Sequence, residues 1–254
     1  MLLDHFGKRG SLQLKEKGRN DYVTVADREA EEVVLRLLRA RFPDHAIVAE
    51  ESEADAAGAR SKSGAGSIGY RWFVDPLDGT TNFIHGVPLF GVSIGLSDAQ
   101  GMRAAVVYDP VRNEMFTAAR GQGAHLNGAP LKVARPGKLE RSLLVTGIPF
   151  RSLDRLEAYL ASFRAFIHEA GGLRRDGSAA LDLAYVACGR YDGFWEMGLS
   201  SWDVAAGSLL VTEAGGVVTD FLGRGGYVES GDIIAAAPEI HPDMLRVVRA
   251  AYRK

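Results

Sequence analysis

The spacing of hydrophobic residues in the first part of the chain changes from a helical to a strand period. Apolar residues between 24 and 41 recur at intervals of three and four, which predicts a helix with one buried face. Shorter apolar runs at 47–49 and 70–74 predict strands. Residues 52–69, which lie between these runs, are rich in Ala, Gly and Ser and favour a mobile loop.

The rest of the chain predicts two further kinds of organisation. Three apolar runs separated by turn residues, at 87–96, 104–108 and 114–119, predict an antiparallel meander. Beyond residue 128, strands and helices alternate, which favours a sheet flanked by helices. The predicted strands are 143–146, 173–175, 194–196 and 217–220, and the predicted helices are 153–170, 178–188, 204–214 and 238–252.

Composition and charge narrow the classes of function. The 254 residues are 46% hydrophobic and 24% charged, which is enough for a large core. A net charge of -2 gives no electrostatic footprint for nucleic acid or an anionic membrane, so we expect a small-molecule substrate. The single cysteine, Cys188, excludes an internal disulfide, and we interpret it as a small core residue. With no membrane span or secretory signal in the sequence, we expect a cytoplasmic protein.

Acidic residues follow the predicted strands. Asp75 ends one strand and is followed by Pro-Leu-Asp78-Gly79, while Glu50 ends another. A strand, a proline and a turn would hold Asp75 and Asp78 on one rigid corner, although Pro-x-Asp-Gly is also an ordinary turn. Asp203 precedes an apolar helix, where a carboxylate is also a common N-cap.

If these acids converge, they need positive charge. Two carboxylates about 4 Å apart repel by roughly 4 kcal/mol at an effective dielectric constant near 20. Either some are protonated or divalent cations lie between them. Oxygen ligands without a paired His or Cys favour Mg²⁺ over Zn²⁺, and the six histidines form no HExxH pattern.

Several separated segments with these acids resemble the inositol monophosphatase family of lithium-sensitive, Mg²⁺-dependent phosphatases. The segments are 21–31 (DYVTVADREAE), 49–52 (AEES), 75–83 (DPLDGTTNF), 202–207 (WDVAAG) and 212–216 (TEAGG). Separated motifs in the right order are far more specific than any one of them. The resemblance implies a homodimer with two or three Mg²⁺ ions in each site.

The resemblance also implies the fold, which combines α+β and α/β features in a five-layered α/β/α/β/α sandwich of the inositol monophosphatase / fructose-1,6-bisphosphatase type. Residues 1–128 would form an N-terminal α+β half with an antiparallel sheet and most metal ligands. Residues 129–254 would form a C-terminal α/β half with a mixed sheet, the substrate pocket and Asp203.

Catalytic and metal-binding roles follow from the same resemblance. It implies that Asp27, Thr80 and Glu50 take part in catalysis, with Asp27 orienting the Thr80 hydroxyl so that the pair positions and helps to deprotonate a water. Thr24-x-x-Asp27 is also a helix capping box, and both roles can coexist. The implied metal ligands are Glu50, Asp75, the Leu77 carbonyl and Thr80 for the first ion, and Asp75, Asp78 and Asp203 for the second.

Substrate contacts are implied at two places. The backbone N–H groups of Gly79, Thr80 and Thr81 would hold the phosphate, with no side chain at 79 to obstruct its approach. The implied pocket residues are Gly177, Ser178, Ala179 and Glu196. Ser178 is equally well explained as a helix N-cap, and Glu196 can be a surface acid at a strand end.

Charged neighbours of the implied pocket are less informative. Asp176 would add negative charge on the substrate side. Arg174 and Arg175 could approach an anionic substrate, but ordinary surface pairing explains them better.

The expected activity is hydrolysis of a phosphate monoester, preferably inositol 1-phosphate or a similar polyol phosphate, with Mg²⁺ required and Li⁺ inhibiting. Fructose-1,6-bisphosphatase, histidinol phosphatase and 3'-phosphoadenosine phosphatase are alternatives in the same superfamily. A transcription-associated protein-binding factor is an alternative of another class.

Overall fold

The computed structural model describes residues 1–8, 15–18, 21–52, 69–150 and 152–252. The predicted loop at 52–69 lies outside the described residues except at its two ends. Within the described ranges, no helix is both long and apolar enough to cross a lipid bilayer.

The first sheet contains the predicted meander. After a two-stranded antiparallel pair (β1, Lys15–Gly18; β2, Asp21–Val23), seven strands pair in sequence order, and all neighbours except β3 and β4 are antiparallel. These strands are β3 (Ala46–Ala49), β4 (Arg71–Asp78), β5 (Gly91–Asp98), β6 (Gly101–Asp109), β7 (Glu114–Ala119), β8 (Ala124–Leu126) and β9 (Ala129–Pro130).

The second sheet is mixed and has five strands in the order β11-β10-β12-β14-β13. The strands are β10 (Leu143–Thr146), β11 (Gly172–Arg174), β12 (Gly193–Glu196), β13 (Val217–Thr219) and β14 (Ile233–Ala236). Strand β14 was not predicted, although it pairs antiparallel with both β12 and β13. All four of its residues are buried, so its sequence has no alternation of apolar and polar residues to reveal it.

The helices complete the layers. They are α1 (Leu2–His5), α2 (Val25–Arg41), α3 (Thr80–His85), α4 (Leu156–Glu169), α5 (Ala179–Ala187), α6 (Ser201–Glu213), α7 (Tyr227–Ser230) and α8 (His241–Tyr252). The predicted helix at 153–170 begins with a separate 3-10 turn, Leu153–Arg155. The remaining long predicted helices agree with α2, α5, α6 and α8 to within a few residues.

Helices α5 and α6 lie between the two sheets. Every residue of α5 is buried, and one apolar cluster joins both helices to Val107 and Phe116 of the first sheet and to Phe194 and Ile233 of the second. Gly207 lets the helices approach closely, because a Cβ there would lie 2.5 Å from the Leu183 Cβ.

The outer faces of both sheets are covered by the other long helices. Leu35 of α2 packs on Val74 of β4, while α4 and α8 cover the second sheet through a cluster that includes Phe166, Trp195 and Met244. The order of layers is therefore α2, first sheet, α5 with α6, second sheet, and α4 with α8. This confirms the five-layered α/β/α/β/α sandwich. The division into halves at residue 128 stays a prediction.

Candidate metal and substrate site

The end of strand β4 presents two carboxylates from an irregular edge. Asp75 pairs with Ser93 and Asp78 with Gly91, and the register shifts between the two pairs. The Leu77 N–H donates to Asp75 Oδ1 at 2.9 Å, which fixes the buried Asp75 carboxylate against its own strand. Local hydrogen bonding thus fixes the Asp75 carboxylate at this corner.

Helix α6 brings the third carboxylate to this corner. Carboxylate oxygens of Asp75, Asp78 and Asp203 all lie within 4.8 Å of one another. Asp203 also accepts the Ser200 N–H at 2.7 Å in a capping box, so its capping role and its place in the cluster coexist. The Ser93 hydroxyl donates to the Trp202 carbonyl at 3.1 Å and ties the start of α6 to β5.

Glu50 approaches from the neighbouring strand. Strand β3 is parallel to β4, and Ala49 is paired with Val74. Glu50, the residue after Ala49, therefore lies beside Asp75, the residue after Val74. Glu50 lines the same cavity but is not a member of the three-carboxylate group. Burial raises the pKa of Asp75 well above its usual range, and the negative charges of Glu50, Asp78 and Asp203 raise it further.

Glu31 of α2 supports the turn that carries Glu50. Its side chain is 5% exposed and accepts the Glu51 N–H at 2.8 Å and the Ser52 hydroxyl. Sequence reasoning gave Glu31 no role, although it belongs to the first resembling segment. Its spacing of 20 residues from Glu51 gives no local signal for this contact.

Asp27 lies behind Thr80 and does not line the cavity. Its carboxylate accepts the Thr24 N–H at 2.8 Å as part of the predicted capping box, and it also accepts the Thr24 hydroxyl at 2.5 Å. The Thr80 hydroxyl lies 3.1 Å from both Asp27 Oδ1 and the Leu77 carbonyl. Burial raises the pKa of Asp27, against the lowering effect of its hydrogen bonds with Thr24 and Thr80.

Gly79 caps the N-terminus of α3 in a left-handed conformation, with φ at +93°. A Cβ at this position would lie 2.9 Å from the Leu89 carbonyl oxygen and 3.3 Å from Phe90. The sequence argument was that a side chain at 79 would obstruct a ligand. The structure gives a different reason, because the obstruction is the neighbouring backbone.

A cavity of about 420 Å³ opens beside the carboxylates, which is large enough for a sugar phosphate. It is lined by every implied phosphate and substrate contact, namely Gly79, Thr80, Thr81, Gly177, Ser178, Ala179 and Glu196. The implied ligands Glu50, Asp75, Leu77, Asp78 and Asp203 also line it. The fold therefore brings these sequence-predicted residues to one place.

Ser178 contributes to the site through Asp78. Its hydroxyl donates to Asp78 Oδ2 at 2.7 Å, and the Ala180 N–H donates to the same oxygen at 2.6 Å. The Ser178 oxygen also accepts from the Leu181 N–H at 3.4 Å, so the N-cap interpretation is correct. The start of α5 thereby fixes the Asp78 carboxylate.

Glu196, at the end of β12, lies against Gly147. A Cβ on Gly147 would lie only 1.8 Å from Glu196 Oε1, so the carboxylate occupies the space that any other residue would fill. Gly147 was not predicted as a site residue. Its importance depends on the parallel pairing of β10 with β12, which the sequence does not specify.

Two other residues of this region were not predicted as site residues. Asp182 is 1% exposed, and its Oδ1 has no hydrogen-bond partner among the described residues. Burial raises the pKa of Asp182 well above its usual range, and the charges of Asp176, Glu196 and Asp78 add to this. Arg175 lines the cavity, which corrects the expectation that it forms an ordinary surface pair.

The neighbours of Arg175 differ from it. Arg174 and Arg175 are both exposed, but Arg174 does not line the cavity and donates to the Leu173 carbonyl at 2.9 Å. Asp176, predicted to add charge on the substrate side, does not line the cavity, and its carboxylate accepts the Tyr191 hydroxyl.

The chain belongs to the inositol monophosphatase family, whose model matches residues 1–252. It is 50% identical over 240 residues to the Nus factor SuhB of Pseudomonas aeruginosa, covering 94% of this chain and 86% of that protein. The crystal structure of the extragenic suppressor protein suhB from Bartonella henselae matches with a TM-score of 0.88 and 40% identity, covering 98% of this chain and 92% of the other. The inositol monophosphatase of Anabaena matches with a TM-score of 0.81 and 44% identity, covering 89% and 86%.

Proposed function

We propose that the protein is a Mg²⁺-dependent phosphomonoesterase that hydrolyses inositol 1-phosphate or a related polyol or sugar phosphate. The observation that carries this proposal is the convergence of Asp75, Asp78 and Asp203 at the wall of a cavity of substrate size. Membership of the inositol monophosphatase family supports the class of reaction.

The donor set fits Mg²⁺. The converging ligand atoms are all carboxylate oxygens, and the buried Asp75 is surrounded by like charges that a hard cation would neutralise. Two or three bound Mg²⁺ ions would neutralise the phosphate, lower the pKa of the attacking water and stabilise the leaving alkoxide. The proposed ligands are Glu50, Asp75, the Leu77 carbonyl and Thr80 for the first ion, and Asp75, Asp78 and Asp203 for the second.

Thr80 and Asp27 would orient the nucleophile. When the Thr80 hydroxyl donates to Asp27 Oδ1, its oxygen lone pairs face away from that carboxylate and can accept a hydrogen bond from a water. The pKa of Asp27, raised by burial, makes this carboxylate a stronger proton acceptor than an exposed one. Glu50 would take part from the end of the neighbouring parallel strand β3.

The remaining lining residues would bind the substrate. The N–H groups of Gly79, Thr80 and Thr81 at the start of α3 suit phosphate oxygens. Glu196 suits a hydroxyl of the polyol, because a carboxylate accepts hydrogen bonds from such groups.

Phosphate release from a panel of esters tests the proposal. The purified protein should hydrolyse inositol 1-phosphate with Mg²⁺ and lose activity in EDTA. It should also be inhibited by Li⁺. The variant Asp75→Asn should lose at least a hundredfold in kcat, because it removes a charge from both proposed ion sites. Absence of phosphate release from every ester at saturating Mg²⁺ would refute the proposal.

The same panel separates the related activities. Preference for fructose 1,6-bisphosphate, histidinol phosphate or 3'-phosphoadenosine phosphate over inositol 1-phosphate would assign the corresponding alternative. We also propose that the protein is a cytoplasmic homodimer that binds neither nucleic acid nor membrane.

A role in transcription is the second candidate, because the Pseudomonas aeruginosa relative is named a Nus factor. In that case the chain would bind a protein of the transcription machinery through a surface separate from the carboxylates. Asp75→Asn distinguishes the two functions, since it should abolish phosphate release and leave binding to purified RNA polymerase complexes intact. Absence of binding by the unaltered protein would exclude the second function.

A further inference from the structure

Two loops of the second sheet line one part of the cavity. The first wall follows β10 and contributes residues 147–150 and 152, and the second wall follows β12 and contributes residues 197–199. Strands β10 and β12 are parallel neighbours, so both walls leave the same end of the sheet. The walls come close at Gly198, where a Cβ would lie 2.6 Å from the Ser152 Oγ.

One carboxylate outside the cavity lining connects the two walls. Asp232 Oδ1 accepts the Gly198 N–H of the second wall at 3.2 Å. Arg155, which lies just beyond the first wall in the 3-10 turn Leu153–Arg155, donates to Asp232 Oδ1 at 2.8 Å and to Oδ2 at 2.6 Å. The two side chains are 34% and 18% exposed, so the pair is partly shielded from water. Two-point contact of this kind is the strong form of an arginine–carboxylate interaction.

Tyr252, at the end of α8, forms a second connection between the same walls. The Arg155 guanidinium carbon lies 5.3 Å from the Tyr252 ring centroid, and the Tyr252 hydroxyl donates to the Met197 sulfur at 3.1 Å. The Leu199 N–H donates to the Gly231 carbonyl at 3.1 Å. Each residue of the second wall is thus held by a contact from outside the cavity, and two of these contacts lead to Arg155.

We propose that Arg155 and Asp232 are positioning residues that set the spacing of the two walls and thereby select the alcohol part of the substrate. This inference rests on the proposed phosphatase function and deepens it. The second wall directly follows Glu196, and the first begins at Gly147, against which Glu196 lies. The reacting phosphate would bind at the start of α3, which belongs to neither wall. Loss of the pair should therefore weaken recognition of a polyol and leave the chemistry at the phosphate largely unchanged.

Steady-state kinetics with inositol 1-phosphate and p-nitrophenyl phosphate at saturating Mg²⁺ test the inference. Asp232→Ala should raise KM for inositol 1-phosphate about tenfold, the order of one charged hydrogen bond, and change kcat little. KM for p-nitrophenyl phosphate, whose leaving group has no ring hydroxyls to place, should rise by about twofold at most. Asp232→Asn keeps an acceptor for the Gly198 N–H and should give an intermediate KM. Arg155→Ala combined with Asp232→Ala should be no worse than either alone, since both act through one pair.

Arg246→Ala is the matched control. Arg246 of α8 pairs with Glu169 of α4, and neither residue lines the cavity, so this variant should keep the KM of both esters. Thermal unfolding identifies any variant that does not fold. If Asp232→Ala is one of them, Asp232→Asn and Arg155→Lys decide the comparison, and both should raise KM for inositol 1-phosphate by an intermediate factor.

The outcomes separate this inference from the proposed function. Equal rises in KM for the two esters would overturn the inference alone, as would additive losses in the double variant, unchanged KM values in Asp232→Asn and Arg155→Lys, or the same shift in Arg246→Ala. Absence of phosphate release from both esters by the unaltered protein would overturn the proposed function and this inference with it.

Discussion

The buried carboxylate cluster predicts that a substitution harmful to activity stabilises the metal-free protein. In EDTA, Asp75→Asn should unfold at a higher temperature than the unaltered protein. Asparagine keeps an Oδ1 that can accept the Leu77 N–H, which now donates to Asp75 at 2.9 Å. What it removes is a buried group whose pKa is raised by burial and by three neighbouring acids.

The magnitude follows from the separation of the acids. At 4.8 Å and an effective dielectric constant near 20, one ionised pair repels by about 3 kcal/mol. Because uptake of a proton by Asp75 would relieve part of this repulsion, we expect a gain of about 1–3 kcal/mol. For a chain of this length that corresponds to a rise in Tm of roughly 3–8 °C.

The assay is thermal unfolding in EDTA and at saturating Mg²⁺. Mg²⁺ at 100 times its Kd would stabilise the unaltered protein by about 2.7 kcal/mol. At saturating Mg²⁺ the Tm advantage of Asp75→Asn over the unaltered protein should therefore shrink or reverse. Asp109→Asn is the matched control. Asp109 is equally buried but pairs with Arg112 at 2.9 Å and accepts the Tyr185 hydroxyl, so its loss should destabilise by about 2 kcal/mol in both conditions.

A lower Tm for Asp75→Asn in EDTA, with Asp109→Asn behaving as expected, would refute the electrostatic reasoning. It would mean that the metal-free cluster is stabilised by contacts that outweigh its repulsion.

Three other substitutions test separate parts of the structure. Glu31→Ala leaves the Glu51 N–H without its Glu31 acceptor. We expect the free energy of unfolding in urea to fall by about 1–3 kcal/mol and the Mg²⁺ concentration needed for activity to rise. Glu31→Gln should partly reverse both effects. Gly147→Ala should displace the Glu196 carboxylate and raise KM for a polyol phosphate several-fold, with a smaller effect on p-nitrophenyl phosphate. Burial lowers the pKa of His241, so the neutral imidazole favours the folded state. Its contribution to the free energy of unfolding is complete above about pH 6.5 and is lost as pH falls through the lowered pKa. His241→Gln should remove that loss between pH 7 and pH 5 in urea unfolding, and an unchanged pH dependence would contradict this.

The sequence alone predicted the residues that we propose to carry the chemistry. Asp75 and Asp78 come at the end of a strand with a fixed turn, so local pattern was enough to predict that these two share one corner. That Glu50 could join them was only a possibility until the structure showed that β3 and β4 are parallel neighbours. The helices α2 and α6 were also evident, because one has a clear apolar face and the other a continuous apolar run after its cap. Motif order further identified the family and hence the layered fold.

Only the tertiary structure decided which other residues support the site. Glu31 and Glu51 are 20 residues apart, and Ser178 reaches Asp78 across 100. Hydrophobic periodicity indicates which face of a helix or strand is buried, but not which other element covers that face. These contacts therefore have no signal in a single sequence. For the same reason the sequence did not reveal that Arg175 lines the cavity while the adjacent Arg174 does not.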